Sequence, residues 1–207
     1  MQGCSLQGGC PPQGGGSITR PMVSGRWYDQ QTAGVYNPGA NVPVSGTPLY
    51  MFVPFVQWRL QPVNFAQIGL DVDSVPTSDV NIRLGIYSDE NGQPNQLLKE
   101  LEITVAATDP TGPLEFPFVV TLSPGVYWIC FINNAANSLR LNGWDSGAAT
   151  EGYSMLGDNS PAGATSIPKR WGWSLPGAYP IVSLPTSFLS TALNVTDRIV
   201  RLCLQVA

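Results

Sequence analysis

Between Val80 and Ile132 the chain keeps changing between strand-like and turn-like sequence, and that rhythm restricts the fold more than any other feature. Val80, Ile82, Leu84 and Ile86 alternate with Asn81, Arg83, Gly85 and Tyr87. Period-2 alternation is the mark of a strand with one dry face. A turn signal follows at once, Asp89-Glu90-Asn91-Gly92-Gln93-Pro94. Asn91 tolerates a positive φ and Gly92 adopts one freely, while Pro94 is expected to stop the ladder. Phe116 to Leu122 and Val126 to Ile132 then flank Ser123-Pro124-Gly125, which predicts a hairpin. Val126 to Ile132 is apolar on both faces, as a central covered strand is. Tyr127 and Trp128 place large rings on its opposite faces.

Other strands are read the same way. Leu49 to Val56 is apolar throughout, with Pro54 pointing to an edge or a bulge. Phe65 to Val72 is expected to turn Ala66, Ile68, Leu70 and Val72 inward and Gln67 and Asp71 outward. Leu97 to Val105 turns Leu101, Ile103 and Val105 inward; Asn95 to Glu100 is the only helix-like run, and it could equally lead into that strand. Asp197 to Val206 closes the chain with Val200, Leu202, Leu204 and Val206 on one face. Seven or eight strands at such spacing predict an all-β fold: an antiparallel β-sandwich, jelly-roll-like, with an extended N-terminal arm. The domain covers residues 21–207, with Arg26-Trp27-Tyr28 near its start and long loops over 133–190.

Composition agrees. The chain has 207 residues, 22 glycines and 19 prolines, which suits short strands and tight turns and disfavours helices. A net charge of −4 without a basic run gives no footprint for nucleic acid. No run of apolar residues is long enough to span a membrane. The first residues lack a basic segment followed by an apolar one, so synthesis in a cytoplasm is expected. With no histidine in the chain, the commonest general base and zinc ligand are missing, and a non-enzymatic protein with no cofactor and no metal is expected.

Residues 1–20 carry almost no apolar side chains, so they cannot build a core. They are either a disordered tail or a docking arm that orders across a partner, with Cys4, Leu6, Cys10, Ile18 and Arg20 as its contacts. Cys4 and Cys10 are free or bridge neighbouring arms; Cys130 and Cys203, inside apolar strands, read as small core residues. Among the loops, Trp144, Tyr153, Trp171, Trp173 and Tyr179 could form a platform for sugar rings, fill a subunit interface, or cap the sandwich within one subunit. Two oxygen-rich stretches, Asp71 with Asp73 and Asp79, and Asp89-Glu90-Asn91, read as solvated turns rather than calcium sites. Asp145, Glu151 and Asp158 are not marked as a glycosidase pair by anything around them. The Asn194-Val195-Thr196 sequon reads as chance.

The string Arg83-Leu84-Gly85-Ile86-Tyr87-Ser88-Asp89-Glu90-Asn91-Gly92-Gln93-Pro94, then Leu97-Leu98, then Leu122-Ser123-Pro124-Gly125-Val126-Tyr127-Trp128, resembles a recurring module of tailed-bacteriophage virion proteins. Such modules occur in tail-fibre, minor tail and head-decorating proteins. Phe52-Val53-Pro54-Phe55 and Phe65-Ala66-Gln67-Ile68-Gly69-Leu70 fit as a preceding strand pair. The resemblance runs from Leu49 to Asn133 and includes neither the arm nor the later loops. It implies a virion structural protein, assembled in the host cytoplasm, partnered by tail or capsid subunits and by copies of itself, a homotrimer above all. Three jobs are compatible with it: a tail-fibre or baseplate-associated subunit whose loops touch a host surface glycan, a capsid decoration or cement protein, and, from a different class, a carbohydrate-binding module.

Overall fold

A computed structural model describes residues 22–29, 41–43, 49–133, 139–145, 172–177, 183–188, 193–196 and 198–207. These residues form strands and turns, with no helix among them. The strands are β1 (Trp27–Asp29), β2 (Asn41–Pro43), β3 (Leu49–Gln57), β4 (Val63–Ser74), β5 (Val80–Glu90), β6 (Gln93–Val105) and β7 (Gly112–Leu122). There follow β8 (Gly125–Asn133), β9 (Arg140–Asp145), β10 (Gly172–Pro176), β11 (Asn194–Thr196), β12 (Arg198–Val200) and β13 (Leu202–Val206). Every pairing is antiparallel.

Two sheets result. The first runs β1-β13-β4-β9-β12, with β7 added on β4 and β2 on β9; the second runs β11-β10-β3-β8-β5-β6. Successive strands change sheet at β2 to β3, β3 to β4, β4 to β5, β6 to β7, β7 to β8, β8 to β9, β9 to β10 and β11 to β12. This alternation is the winding of a jelly roll, and the all-β sandwich read from the sequence is the fold of the chain. Both sheets turn aliphatic and aromatic residues into one shared core. Val53, Phe55, Ile82, Leu84, Ile86, Ile129 and Phe131 come from the second sheet; Phe65, Ile68, Leu70, Phe118, Leu202 and Leu204 come from the first. Burying such side chains is worth about 1.5–3 kcal/mol each and is the dominant favourable term in folding.

Several expectations are corrected by the structure. β7 and β8 do not form a hairpin: β7 pairs with β4, whereas β8 runs between β3 and β5. A strand apolar on both faces is well satisfied inside a sheet, and β8 takes such a place across the sandwich, so Ser123-Pro124-Gly125 carries the chain between sheets. Pro94 does not end the ladder, because it pairs with Asp89 inside β6. The turn itself is just Asn91 and Gly92, at φ 55° and 78°, the left-handed pair of a two-residue hairpin. The helix-like run Asn95 to Glu100 is strand, since pairing with β5 overrides local propensity. In β4 an irregularity between Phe65 and Gln67 shifts the alternation, so Phe65 is fully buried and Ala66 only half-buried. β3 is an interior strand rather than an edge: among the described residues it pairs with β10 as far as Phe52 and with β8 along Met51 to Gln57, and Pro54 stands opposite Trp128 of β8. Cys130 is core, as expected, but Cys203 is half-buried on the outer face of the first sheet.

Candidate functional site

The outer face of the second sheet is sealed by the chain itself. Tyr50, Phe52, Tyr87, Trp128, Cys130 and Ile132 point away from the shared core and would otherwise meet water. Residues 183–188 lie over them as a strap, burying Leu184 and Phe188 at 2 % and 3 % exposure. The Phe188 ring makes edge contacts with Tyr50, Phe52 and Tyr87. Backbone bonds tie the strap to the β6 edge: Leu97 donates to Thr186 and Phe188 donates to Asn95. The Tyr87 hydroxyl donates to the Pro185 carbonyl at 2.7 Å. Burial pushes this phenol far above its ordinary range, and it raises the Cys130 thiol in the same way. Gly85 makes the fit possible, for a Cβ there would lie 2.4 Å from Leu184 Cδ1.

Charged groups on this side are bound into the architecture. Arg83, buried, reaches Glu102 at 2.7 Å and Glu100 at 3.7 Å across β6. Glu100 also accepts from the Leu184 amide at 2.8 Å. Asp89 accepts from the Trp128 indole at 2.7 Å and from the Gly92 amide at 3.3 Å, and Glu90 accepts from Asn95. The oxygen-rich hairpin turn therefore locks its own geometry.

The outer face of the first sheet is built differently. Three strands contribute one row of outward positions: Cys203 on β13, Gly69 on β4 and Glu115 on β7. The next row holds Asp71 opposite Pro113, with the Arg201 guanidinium 3.5 Å from the Asp71 carboxylate. From β1 the Trp27 ring leans over Gly69, where a Cβ would lie 3.0 Å from Cζ3. Glycine inside a strand weakens it and often marks close approach of another group. Here it lets an indole come down on the sheet. Between Trp27 and β7 opens a cleft of about 230 Å³ lined by these residues and Leu114. Its lining is mostly apolar, with three charged groups at its walls.

The residues singled out from the sequence are scattered by the fold. Trp173, on β10, is half-buried against the strapped cluster, and its indole donates to the Gly92 carbonyl at 2.8 Å. Trp144 is on β9 in the first sheet, opposite Ile199. Thus these two stand on strands of different sheets. Tyr153, Trp171 and Tyr179 lie outside the described residues, as do Cys4, Leu6, Cys10, Ile18 and Arg20 of the arm. Glu151 and Asp158 lie outside them as well. Sequence reasoning missed the cleft. Its one local signal is Gly69, a glycine at an outward position in the middle of an apolar strand; that Trp27, Glu115 and Arg201 gather around it depends on pairings between distant segments.

The chain matches no protein-family model and no curated protein sequence.

Proposed function

We propose that this chain is a non-enzymatic structural subunit of a tailed-phage virion, a tail-fibre or baseplate-associated protein that docks through residues 1–20 and acts as a homo-oligomer. The observation that carries this reading is the work done by the motif residues. Asn91 and Gly92 make the hairpin turn, Asp89 holds Trp128, Gly85 admits the strap, and Tyr87 anchors it. These pieces of the virion-like string serve rigidity. The carboxylates of the string and of the facing strand β6 accept hydrogen bonds from the protein's own backbone and side chains instead of facing each other across a cleft. A rigid sandwich that supports its own sheets is suited to attachment rather than turnover.

The test is incorporation. Deleting residues 2–20 is expected to leave a folded domain with an unchanged thermal transition that no longer enters particles. A truncated chain that still enters particles at the normal level ends the docking-arm reading. Copy number per purified particle separates the two positions: few copies for a tail part, many for a capsid cement.

A further inference from the structure

We propose that the cleft between Trp27 and β7 binds a neutral sugar ring. Size sets the first limit. At about 230 Å³ the cleft lies below the range of roughly 300–1,000 Å³ usual for pockets that enclose a whole small molecule. It accepts one ring of a longer ligand, with the rest of that ligand outside.

Chemistry sets the second limit. The floor and walls from Trp27, Gly69 and Pro113 are apolar, and they suit the C–H face of a pyranose better than a fully hydrated ion. The polar groups are of mixed type. Asp71 and Glu115 are acceptors, whereas Arg201 is purely a donor. Two carboxylates against one guanidinium oppose an anionic ligand, and the Arg201–Asp71 pair at 3.5 Å leaves a mixture of donors and acceptors rather than a strong field for a cation. A neutral polyol bonds to such a mixture without breaking the pair, since each hydroxyl donates one hydrogen bond and accepts others. A nucleotide is disfavoured by its phosphate, which would approach Asp71 and Glu115. The site also has a built element: Gly69 gives up a side chain in mid-strand, and the space is taken by the Trp27 ring, which fixes one wall.

This inference is independent of the virion reading. Particles that incorporate a chain unable to bind sugar defeat this inference alone; sugar binding by a chain that enters no particle defeats the other alone.

The experiment uses the full chain on a glycan array carrying neutral hexose oligosaccharides, sialylated oligosaccharides and amino sugars, followed by calorimetric titration of the best neutral hit. The expected result is retention on neutral hexoses. Trp27→Ala is expected to abolish it, and Glu115→Gln to weaken it about tenfold, the loss of one charge-assisted hydrogen bond. Glu115 is exposed on an edge strand, so that variant keeps the fold even if Trp27→Ala does not. In a background with Cys4 and Cys10 replaced by serine, the sugar is expected to slow the reaction of Cys203 with N-ethylmaleimide. Four outcomes overturn the proposal: no retention on any neutral sugar, a preference for sialylated or amino sugars, displacement by nucleotides, or binding unchanged by Glu115→Gln but lost in Trp173→Ala.

Discussion

The two outer faces of the sandwich begin alike and end differently. Each has a glycine in the middle of a strand that is paired on both sides, Gly85 on β5 and Gly69 on β4. Over Gly85 the chain brings its own Leu184, and a strap closes the face. Over Gly69 it brings Trp27, which covers only part of the surface and leaves a cleft beside it. The same local device, a missing side chain, yields a second hydrophobic core on one side and a recognition surface on the other. What decides between them is the supply of apolar partners: the second sheet offers four aromatic rings outward, the first offers three charged groups around a single indole.

The contrast can be broken most severely at Phe188. Its ring is 3 % exposed among three other rings, so Phe188→Ala is expected to cost about 3–5 kcal/mol in a urea titration. A loss below about 1 kcal/mol would mean that the strap is not part of the cooperative unit. The paired glycines sharpen the comparison. Gly85→Ala drives a methyl into Leu184 and is expected to cost about 1–3 kcal/mol, as overpacking does. Gly69→Ala meets a half-buried Trp27 that can tilt outward, and the gain in strand propensity offsets most of the strain, leaving a change within about 0.5 kcal/mol. Equal losses at the two sites would erase the distinction between the faces.

Alkaline pH probes the sealed side. Tyr87 is held protonated in the folded state by burial, whereas the unfolded chain ionises near the ordinary value of 10.0. The raised folded value means that stability is fully present below pH 10 and falls as pH rises above it, because only the unfolded state gives up the proton. Tyr87→Phe is expected to cost about 1 kcal/mol at neutral pH through the lost bond to Pro185. The variant should also show a shallower decline above pH 10, measured by urea titrations at a series of pH values; a slope identical to that of the parent refutes the assignment. The smallest effect is expected on the open side. Asp71→Asn removes a partly exposed ion pair with Arg201 and should change stability by no more than about 1 kcal/mol, with unchanged circular dichroism.

How much of this was legible in the sequence follows from the range of each signal. The alternation in β5 and the Asn91-Gly92 turn are local, and both appear where the sequence puts them, whereas the closing strand expected over Asp197 to Val206 is broken at Arg201 into β12, paired with β9, and β13, paired with β4. The sheet to which a strand belongs is not local. β7 and β8 carry an ordinary hairpin signature, yet β8 takes a place between β3 and β5 that only the whole fold defines. The second face of β5 reads as solvent-facing because its cover, residues 183–188, lies about a hundred positions further on. The cleft was hidden for the same reason: β1, β4, β7 and β13 come together from both ends of the chain. The loop aromatics drew notice through their residue type, which says nothing about where a ring ends up; Trp173 is spent on holding the Gly92 turn.

The position of β8 between β3 and β5 has a consequence for synthesis. A strand that threads between two others cannot be added at a growing margin. Both neighbours leave the ribosome before it does, and they must wait with their facing hydrogen-bonding groups unpaired. Such waiting is slow, since distant segments have to meet, and unpaired margins of this kind are adhesive to other chains. Production of this protein in quantity is therefore governed by how long the gap stays open, and cooler growth or a chaperone that shields nascent strands should raise the soluble yield.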